Sequence, residues 1–435
     1  VRHMKESASF GLHTFDFEEY GIHVTVDRFI ETRGDWHGYI RIKGNTEVHP
    51  QLQGSHIIFH KINLSSGNSR KSLSRTLESR LELNGAWEEI LEEVCTRSIL
   101  RRWEGAPLKK IGRQERPSDA PYLLYPVIRE GAPTVLYGEG GLGKSYCSLL
   151  FSILVQYGIS MGKFSPKSGN VLYLDWESSE SDLNARCAAL SKGLGIDAEL
   201  YYRNCWVPFI DDINTINTMV TENDIKLIIV DAKAAAIGGA INESQPTINL
   251  FNGLRSLGVT SLIIDHVSKE SSRGPIGSVF NVNAARDVWE LRATQQPASS
   301  SSKMFFYHRK TNSGRRHSPF GLHFRFEDDE NQNIESVWVS ETEVEADPDA
   351  RKGLSIPEQI GAILKDSMQF DMSGGISYLP MSKEEIAEAI PQSNIKTITA
   401  RLSDNRFNGV LWERVKGEAG LYIYRNGVTE NVTDY

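Results

Sequence analysis

Short apolar runs alternate with longer amphipathic segments through the middle of the chain. The apolar runs have the length of strands and are nearly continuous in aliphatic residues, at 134–137, 171–175, 225–231 and 261–266. Helical patterns follow at 146–155, 183–194 and 250–257. Strands that are apolar along their whole length and alternate with helices indicate a parallel sheet covered on both faces. Two later strands, around 304–308 and 322–326, predict an antiparallel hairpin that completes the sheet.

The segment ahead of this core predicts a small α+β module. Strand-like alternation occurs at 22–26 and 38–42, with turn residues at 31–35 between them, and a third strand is predicted at 55–64. Helical patterns follow at 68–83 and 86–103. The first of these helices is basic, so it is either a nucleic-acid contact or an ordinary solvated face. Its cations are Arg70, Lys71, Arg75 and Arg80.

The last part of the chain predicts a winged helix-turn-helix. Helices are predicted at 356–367, 382–390 and 393–407, and two strands at 410–415 and 421–425 enclose a turn at 416–420. Ser382 followed by Glu385 three positions later is the pattern of a capping box, which predicts the start of the second helix. Three helices followed by a β-hairpin is the order of elements in winged helix-turn-helix domains.

Changes in composition suggest where the domains meet. Four prolines mark a linker at 105–128, and five carboxylates mark an acidic linker at 341–355. The predicted domains are therefore the N-terminal module at 5–104, the α/β core at 129–340 and the winged helix at 356–426.

Composition also limits the class of protein. Of the 435 residues, 40% are hydrophobic and 24% are charged, which is typical of soluble globular proteins. We expect no membrane span, because no run of about 18 uncharged apolar residues occurs; no secretory signal is visible, and residues 1–4 resemble a tag remnant. A net charge of −8 restricts any nucleic-acid contact to a local patch or channel. Four scattered cysteines predict reduced thiols in a cytoplasmic protein: Cys95, Cys147, Cys187 and Cys205.

One glycine-rich stretch carries the strongest chemical signal. Residues 138–145 read G-x-x-x-x-G-K-S, between a predicted strand and a predicted helix. Glycines allow successive main-chain N–H groups to turn toward one anion, and the helix N-terminus adds the positive end of its dipole. Lys144 is predicted to reach the β- and γ-phosphates of ATP, and the Ser145 hydroxyl to bind Mg²⁺. The predicted nucleotide-binding residues are Gly138, Glu139, Gly140, Gly141, Leu142, Gly143, Lys144, Ser145 and Tyr146.

Carboxylates at strand ends are candidates for the hydrolytic step. Asp231 ends an apolar strand, where it is placed to hold Mg²⁺ directly or through water. Glu177 follows the strand that ends at Asp175, which we expect to lie beside the phosphate-loop strand, and it is the predicted general base. Asp175 competes for this role, but its place within the strand end favours a structural function.

Further candidates lie later in the core. His266 ends a strand and is either a sensor of the γ-phosphate or a histidine with a purely structural role. Lys310, Arg315 and Arg316 lie at the turn of the predicted hairpin. They form either an ordinary basic turn or a finger that reaches the nucleotide of a neighbouring subunit.

Contacts with DNA are predicted in two regions. Gly/Ser-rich loops at 237–245 and 268–278 follow strands of the sheet and in a ring would face its pore. There Lys269 and Arg273 would touch phosphates of a single strand, with a plain solvent loop as the alternative. The third helix of the winged helix is the predicted recognition helix, with Asn394, Lys396, Thr397, Arg401 and Arg406. Because 381–425 contains seven Lys/Arg and six Asp/Glu, docking of a protein is the alternative to duplex DNA.

The order of these motifs resembles RepA-type, RecA-like ATPases, P-loop ATPases of the AAA type that include hexameric replicative helicases of plasmids and phages. The resemblance covers about residues 115–330. It rests on the phosphate loop, 172–177, 227–231, 265–269 and the 310–314 turn. It implies a RecA-like core and a ring with ATP between subunits, with Glu177 as base and His266 as sensor. The turn departs from the Lys-x-Arg-x-Gly finger of related helicases, because Asn312 stands at its arginine position.

The sequence thus predicts an ATP-hydrolysing, ring-forming motor on DNA, of the kind that mobile elements use as replicative helicases. Two alternatives stay open. One is an ATP-gated DNA-binding or loading factor that does not unwind DNA. The other is a regulatory or defence ATPase whose winged helix binds a protein.

Overall fold

The computed structural model describes residues 4–9, 12–52, 54–103, 121–239, 243–267, 283–294, 299–312, 314–370, 376–408, 411–414 and 421–424. Within these ranges no helix is both long enough and apolar enough to span a membrane. All four cysteines lie in described segments and are free thiols, and three of them are buried.

The N-terminal module is an antiparallel sheet covered by two helices. Its strands, paired in chain order, are β1 Met4–Ser9, β2 Leu12–Phe17, β3 Ile22–Thr32, β4 Asp35–Gly44 and β5 His56–Asn63. Helices α1 Gly67–Arg80 and α2 Ala86–Trp103 follow. Alternate residues of β3 and β4, such as Val24 and Ile40, point at Leu77 and Ile90 of the helices, which makes one apolar core.

Most of the elements expected in this module are confirmed. The strands predicted near 22–26, 38–42 and 55–64 are present, and so are both helices, whereas β1 and β2 were not predicted. Met4 is the first residue of β1, so setting it aside as a tag remnant was wrong. Arg70 and Arg80 of α1 donate to main-chain carbonyl oxygens of the same module, and Arg70 also pairs with Glu92. These two cations therefore stabilise the module.

The core begins with a small sheet and continues into a large one. The small sheet consists of β6 Tyr122–Tyr125, β7 Ile128–Arg129 and β9 Ser165–Pro166. The strands of the large sheet are β8 Pro133–Gly138, β10 Asn170–Asp175, β11 Tyr201–Asn204, β12 Ile225–Asp231, β13 Thr260–His266, β14 Asp287–Thr294, β15 Ser301–Thr311, β16 Phe320–Asp328 and β17 Ile334–Thr342. The helices of the core are α3 Lys144–Tyr157, α4 Glu180–Leu194, α5 Phe209–Glu222, α6 Lys233–Ala236 and α7 Ser244–Ser256.

The large sheet has the order β11-β10-β12-β13-β8-β14-β15-β16-β17. Strands β11 to β14 are parallel and β15 to β17 antiparallel, which confirms the α/β core and the hairpin formed by β15 and β16. The pattern of the sequence did not predict β11, α5, β14 or β17. The expectation that the strand ending at Asp175 neighbours the phosphate-loop strand was wrong, because β12 and β13 lie between them. Apolar patterning reports that a strand is buried, but crossover connections decide its neighbours.

Helices cover both faces of the parallel strands. Phe151 of α3 and Leu190 of α4 are buried on one face, and Phe209 of α5 and Phe251 of α7 on the other. The antiparallel end of the sheet curls over α4, where a Cβ atom added to Gly193 would lie 1.9 Å from the Val337 carbonyl oxygen. Glycine at this position lets the helix backbone touch β17 directly, which closes one layer of the core.

Residues 341–355 pack against the sheet. Strand β17 continues to Thr342, and a short helix, α8 Pro348–Arg351, follows. Val344 and Leu354 are buried against Phe305 and Tyr307 of β15. The carboxylates predicted a linker, but the apolar residues between them hold this stretch on the core; where the domains divide stays a prediction.

The C-terminal module combines helices with a small sheet. Its elements are α9 Ile356–Asp366, β18 Met368–Phe370, β19 Ile376–Tyr378, β20 Met381–Ser382, α10 Lys383–Glu388, α11 Ile395–Leu402, β21 Trp412–Arg414 and β22 Leu421–Tyr424. Strands β20, β22 and β21 form a three-stranded sheet, and the helices pack on Trp412. The capping box is confirmed, with Ser382 and Glu385 bonding to each other's main chain. The third helix is shorter than predicted and ends at Leu402, before a turn at Asp404.

Candidate functional site

The phosphate loop leaves the C-terminal end of β8 and enters α3. Every residue of β8 is buried, so the start of the loop is held in the middle of the sheet. Gly141 and Gly143 have φ angles of 75° and 85°, the left-handed region that favours glycine. A Cβ at Gly143 would also lie 2.2 Å from the Met304 Cε atom. The loop therefore requires glycine at this position for two independent reasons, a backbone angle and a close contact.

Lys144 lies across the mouth of the loop. Its Nζ atom donates to the carbonyl oxygens of Gly138 and Glu139 at 2.9 and 2.5 Å, and the residue is only 5% exposed. Burial lowers the pKa of Lys144, while the carboxylates of Asp231 and Glu177 oppose that shift. The ammonium group is thus a desolvated positive charge at the point where the loop presents its main-chain N–H groups.

A buried carboxylate lies beside the first turn of α3. Asp231 ends β12, accepts a hydrogen bond from the Tyr173 hydroxyl at 2.6 Å, and is also hydrogen-bonded by the Ser145 side chain. Burial raises the pKa of Asp231, and these two hydrogen bonds act in the opposite direction. The sequence analysis did not identify Tyr173, which also bonds the Ser148 hydroxyl at 2.9 Å. Its spacing in an apolar strand carried no signal of this role.

The oxygen atoms here suit a magnesium ion. Mg²⁺ prefers hard oxygen ligands and commonly uses one or two protein groups together with phosphate and water. The Ser145 hydroxyl and the Asp231 carboxylate are adjacent, and Tyr173 leaves one oxygen of that carboxylate free of its own hydrogen bond. The residues present therefore fit the ion that the sequence predicts.

Asp175 and Glu177 have different surroundings. The buried Asp175 carboxylate accepts the main-chain N–H groups of Glu177 and Ser178, both at 2.9 Å, as the structural interpretation of this residue requires. The turn that it organises directs the half-exposed Glu177 side chain toward β13. One Glu177 carboxylate oxygen lies 3.5 Å from His266 Nε2. Glu177 thus reaches the site through the turn, although its strand is three positions from β8.

His266 connects the two ends of the candidate site. It pairs in register with Gly138, and its Nδ1 atom lies 3.5 Å from Lys144 Nζ, on the side of the ring opposite Glu177. The sequence therefore correctly placed Lys144, Glu177 and His266 at one edge of the sheet. The geometry puts the imidazole between a cation and a carboxylate, where a change at one is felt by the other.

A buried ion pair supports this edge and was not predicted. Lys233 Nζ lies 2.5 Å from Asp265 Oδ2, and both side chains are 1% exposed. The other Asp265 oxygen accepts the main-chain N–H of His266 at 2.9 Å. Lys233 lies in a stretch of alanines that gave no chemical signal, and only the approach of β12 and β13 brings it to Asp265.

Three predicted nucleotide-binding side chains point elsewhere. The Glu139 side chain is exposed, and Leu142 packs against the apolar core. The Tyr146 ring packs edge-on against Phe326 with centroids 5.4 Å apart, and the guanidinium of Arg186 lies over it. A part for the Tyr146 ring in holding the nucleotide is wrong in this conformation, so only main-chain groups of these residues face the loop.

The predicted finger residues lie at the other edge of the sheet. Lys310 and Thr311 pair with Val288 and Asp287 of β14, which pair in turn with Val135 and Thr134 near the start of β8. Lys310 donates to the Ala285 carbonyl oxygen at 2.8 Å, and Arg315 and Arg316 are exposed. None of the three is near its own chain's phosphate loop.

The predicted DNA contacts have mixed outcomes. Lys269 and Arg273 lie outside the described residues. Asn394 caps α11 by accepting the N–H of Thr397 at 2.8 Å, and the Thr397 hydroxyl donates to it as well. Lys396 and Arg401 are exposed on α11, whereas Arg406 lies beyond the end of the helix and pairs with Asp404.

Together, the loop, its buried lysine, the serine–aspartate pair and the glutamate define the phosphate and metal half of a P-loop nucleotide site. The sequence model of a protein family described as AAA domain matches residues 103–272. With the geometry above, this match supports a RecA-like P-loop ATPase with an α/β core.

Two other comparisons complete the picture. Among solved structures, a KaiC-like protein from the hyperthermophilic archaeon Pyrococcus horikoshii OT3 is similar over 50% of this chain and 93% of its own, with 15% identity and a TM-score of 0.37. No curated protein matches the sequence.

Proposed function

We propose that this protein is an ATP-hydrolysing motor that acts on DNA, of the replicative helicase type, and that it works as a ring with ATP between subunits. One observation carries the ATPase part of the proposal. Lys144, His266 and Glu177 form a continuous chain at the phosphate loop, with 3.5 Å between neighbouring groups. A cation for the phosphates and a carboxylate for water therefore lie at opposite ends of one imidazole.

Each group has a distinct task in hydrolysis. The loop amides and Lys144 bind the β- and γ-phosphates, and Ser145 and Asp231 would hold Mg²⁺, which neutralises charge on the phosphate oxygens. Glu177 orients the attacking water and accepts its proton as the bond to the γ-phosphorus forms. His266 contacts both ends, so the loss of the γ-phosphate changes its surroundings and transmits the state of the nucleotide to β13.

Support for an assembly comes from the position of the basic turn. Lys310, Arg315 and Arg316 lie at the edge of the sheet opposite the phosphate loop. In a head-to-tail arrangement, this edge of one copy faces the nucleotide edge of the next, and repetition closes a ring. The number of subunits that we propose, six, follows only from the resemblance to hexameric helicases.

Support for DNA binding comes from the C-terminal module. Its three helices and its three-stranded sheet are arranged as in winged helix-turn-helix domains, and α11 exposes Lys396 and Arg401. We propose that α11 meets duplex DNA, and that Lys269 and Arg273 meet a single strand in the pore.

One observation favours a second candidate function. Asn394 and Thr397, the residues best suited to read base edges, bond to each other and cap α11. A helix whose polar side chains are occupied in this way suits a protein partner, and the protein would then be a regulatory or defence ATPase. An ATP-gated DNA-loading factor that does not unwind is the intermediate case.

The test is an ATPase assay with and without single-stranded DNA, followed by strand displacement on a forked duplex. Stimulation with displacement supports the motor, stimulation alone supports the loading factor, and no effect of DNA supports the regulator. Lys144→Ala is expected to abolish nucleotide binding, and Glu177→Gln to bind ATP without turning it over. The control is Glu180→Gln, an exposed carboxylate in the first turn of α4. Full turnover by Glu177→Gln would remove Glu177 from the role of base.

A further inference from the structure

Three cations converge on one short segment at the edge of the sheet opposite the phosphate loop. Arg286 belongs to this segment, 283–286, which leads into β14. Arg255, at the end of α7, donates to one of its carbonyl oxygens, and Lys310 donates to two others at 2.8 and 3.4 Å. Arg255, Arg286 and Lys310 are called the cationic edge cluster below.

The positive charge of this cluster is only partly balanced. The neighbouring carboxylate, Asp287, is buried and already binds Arg129 and His308, each at 3.2 Å. Arg286 is exposed and makes no ion pair with any residue that the structure describes. Burial lowers the pKa of Lys310 and of Arg255, and repulsion from Arg286 adds to the shift at both. Like charges held together in this way favour an anionic partner.

The cluster cannot serve the nucleotide of its own chain. Lys310 pairs through Val288 with Val135, and Asp287, the residue after Arg286, pairs with Thr134. From Thr134 to Gly138 the strand rises about 13 Å, at roughly 3.3 Å per residue, before the phosphate loop begins. The anion that the cluster can reach must therefore belong to another molecule.

The phosphate-loop edge of the same sheet is complementary to the cluster. The residues that follow β8 and β10 include four exposed carboxylates around the buried Lys144: Glu139, Glu177, Glu180 and Asp182. The loop after β11 exposes 87% of Trp206, and it is held in place because Trp176 Nε1 donates to the Val207 carbonyl oxygen at 3.0 Å. Aromatic side chains of this kind are enriched at protein interfaces. A second copy, placed head to tail, brings opposite charges together at this apolar anchor.

We propose that the cationic edge cluster completes the ATP site of a second copy of this chain, with Arg286 contacting the terminal phosphates and Arg255 and Lys310 supporting it. The proposal rests on the ATPase function proposed above and names residues outside the predicted finger. Arg286 then supplies, from the neighbouring copy, the positive charge that balances the phosphate oxygens as the γ-phosphoryl group is transferred to water.

The decisive experiment mixes two inactive variants. Arg286→Ala is expected to bind ATP normally and to hydrolyse it about a thousandfold more slowly, as when a trans-acting arginine is removed. Lys144→Ala cannot bind ATP but still carries Arg286. At a 1:1 ratio in a head-to-tail assembly, about one interface in four joins an intact phosphate loop to an intact Arg286, so about a quarter of wild-type turnover returns.

A second readout does not depend on turnover. Sedimentation velocity with a slowly hydrolysed ATP analogue is expected to show nucleotide-driven association of the wild type and its loss in Arg286→Ala. Arg75→Ala, an exposed arginine on α1, is the matched control and is expected to behave as wild type. Circular dichroism and nucleotide affinity establish that each variant is folded, and Arg286→Gln replaces Arg286→Ala should the latter not fold.

The outcomes separate this proposal from the one it rests on. Wild-type turnover by Arg286→Ala, or no recovery on mixing, overturns the role of the cluster while leaving the ATPase intact. Loss of single-stranded DNA binding by Arg286→Ala with normal turnover in the absence of DNA also overturns it, because the cluster is then a nucleic-acid surface. Normal ATP binding by Lys144→Ala overturns the proposed ATPase site itself.

Discussion

Breaking the buried pair between Lys233 and Asp265 is expected to destabilise the ATPase core strongly. The two charged atoms are 2.5 Å apart and both side chains are 1% exposed, so water screens neither charge. At that separation, an effective dielectric constant of about 20 gives an attraction of about 7 kcal/mol, which offsets the cost of burying the two ions. Lys233→Met removes the attraction and leaves the carboxylate buried, with a main-chain N–H as its remaining donor among the bonds described above. We expect a loss of about 3–5 kcal/mol.

The effect of pH follows from the direction of the pKa shift. Burial raises the pKa of Asp265, and Lys233 opposes this shift, so Lys233→Met raises the pKa of Asp265 further. A carboxyl group whose pKa is higher in the folded state stabilises the fold only while protonated, and stability falls as the pH rises through that value. The deficit of Lys233→Met is therefore largest at neutral pH and shrinks as the pH is lowered.

The assay is urea unfolding followed by tryptophan fluorescence, at neutral and acidic pH. Lys226→Met is the matched control, because Lys226 pairs with Asp224 at 2.6 Å with both side chains half-exposed or more, and such pairs contribute at most about 1 kcal/mol. A double variant, Lys233→Met with Asp265→Leu, removes both charges and is expected to recover most of the lost stability. The reasoning is refuted if Lys233→Met unfolds like Lys226→Met, or if the double variant is as unstable as the single one.

Three further changes test other parts of the structure. Tyr173→Phe removes the hydroxyl that donates to Asp231, and urea unfolding should show a loss of about 2 kcal/mol, with more Mg²⁺ needed for half-maximal turnover. Gly143→Ala combines an unfavourable φ of 85° with a contact 2.2 Å from Met304, so thermal unfolding should show a clear loss, whereas Gly140→Ala, which meets no atom within 4 Å, should change little. Trp206→Ala should weaken nucleotide-driven association by about 2 kcal/mol or more in sedimentation experiments; unchanged association would exclude Trp206 from the interface.

Local signals in the sequence were sufficient for much of the site. The phosphate loop is contiguous, and its glycines, lysine and serine act through the backbone and the first turn of α3, so its position and its buried lysine were predictable. The same holds for Asp231 and His266, because each directly ends an apolar strand. The capping box at Ser382 is a further local pattern, and the structure confirms it.

Pairings between distant segments were beyond these signals. The neighbour of the Asp175 strand was predicted wrongly, because strand length and apolarity do not encode sheet order. Tyr173 gave the pattern of an ordinary strand residue, yet the packing of β10 beside β12 aims its hydroxyl at Asp231. Arg286 stands before a strand that the sequence analysis did not find, so its meeting with Arg255 and Lys310 was not predictable.

The sequence by itself therefore determined which residues are able to bind a triphosphate, because that chemistry depends on a few adjacent residues and on the backbone angles they permit. The tertiary structure alone decided what surrounds them. It brings Glu177 to His266 across the sheet, buries Lys233 against Asp265, and places the cationic edge cluster at the far end of the strands. These relations depend on strand order and burial, which the whole chain sets collectively through packing.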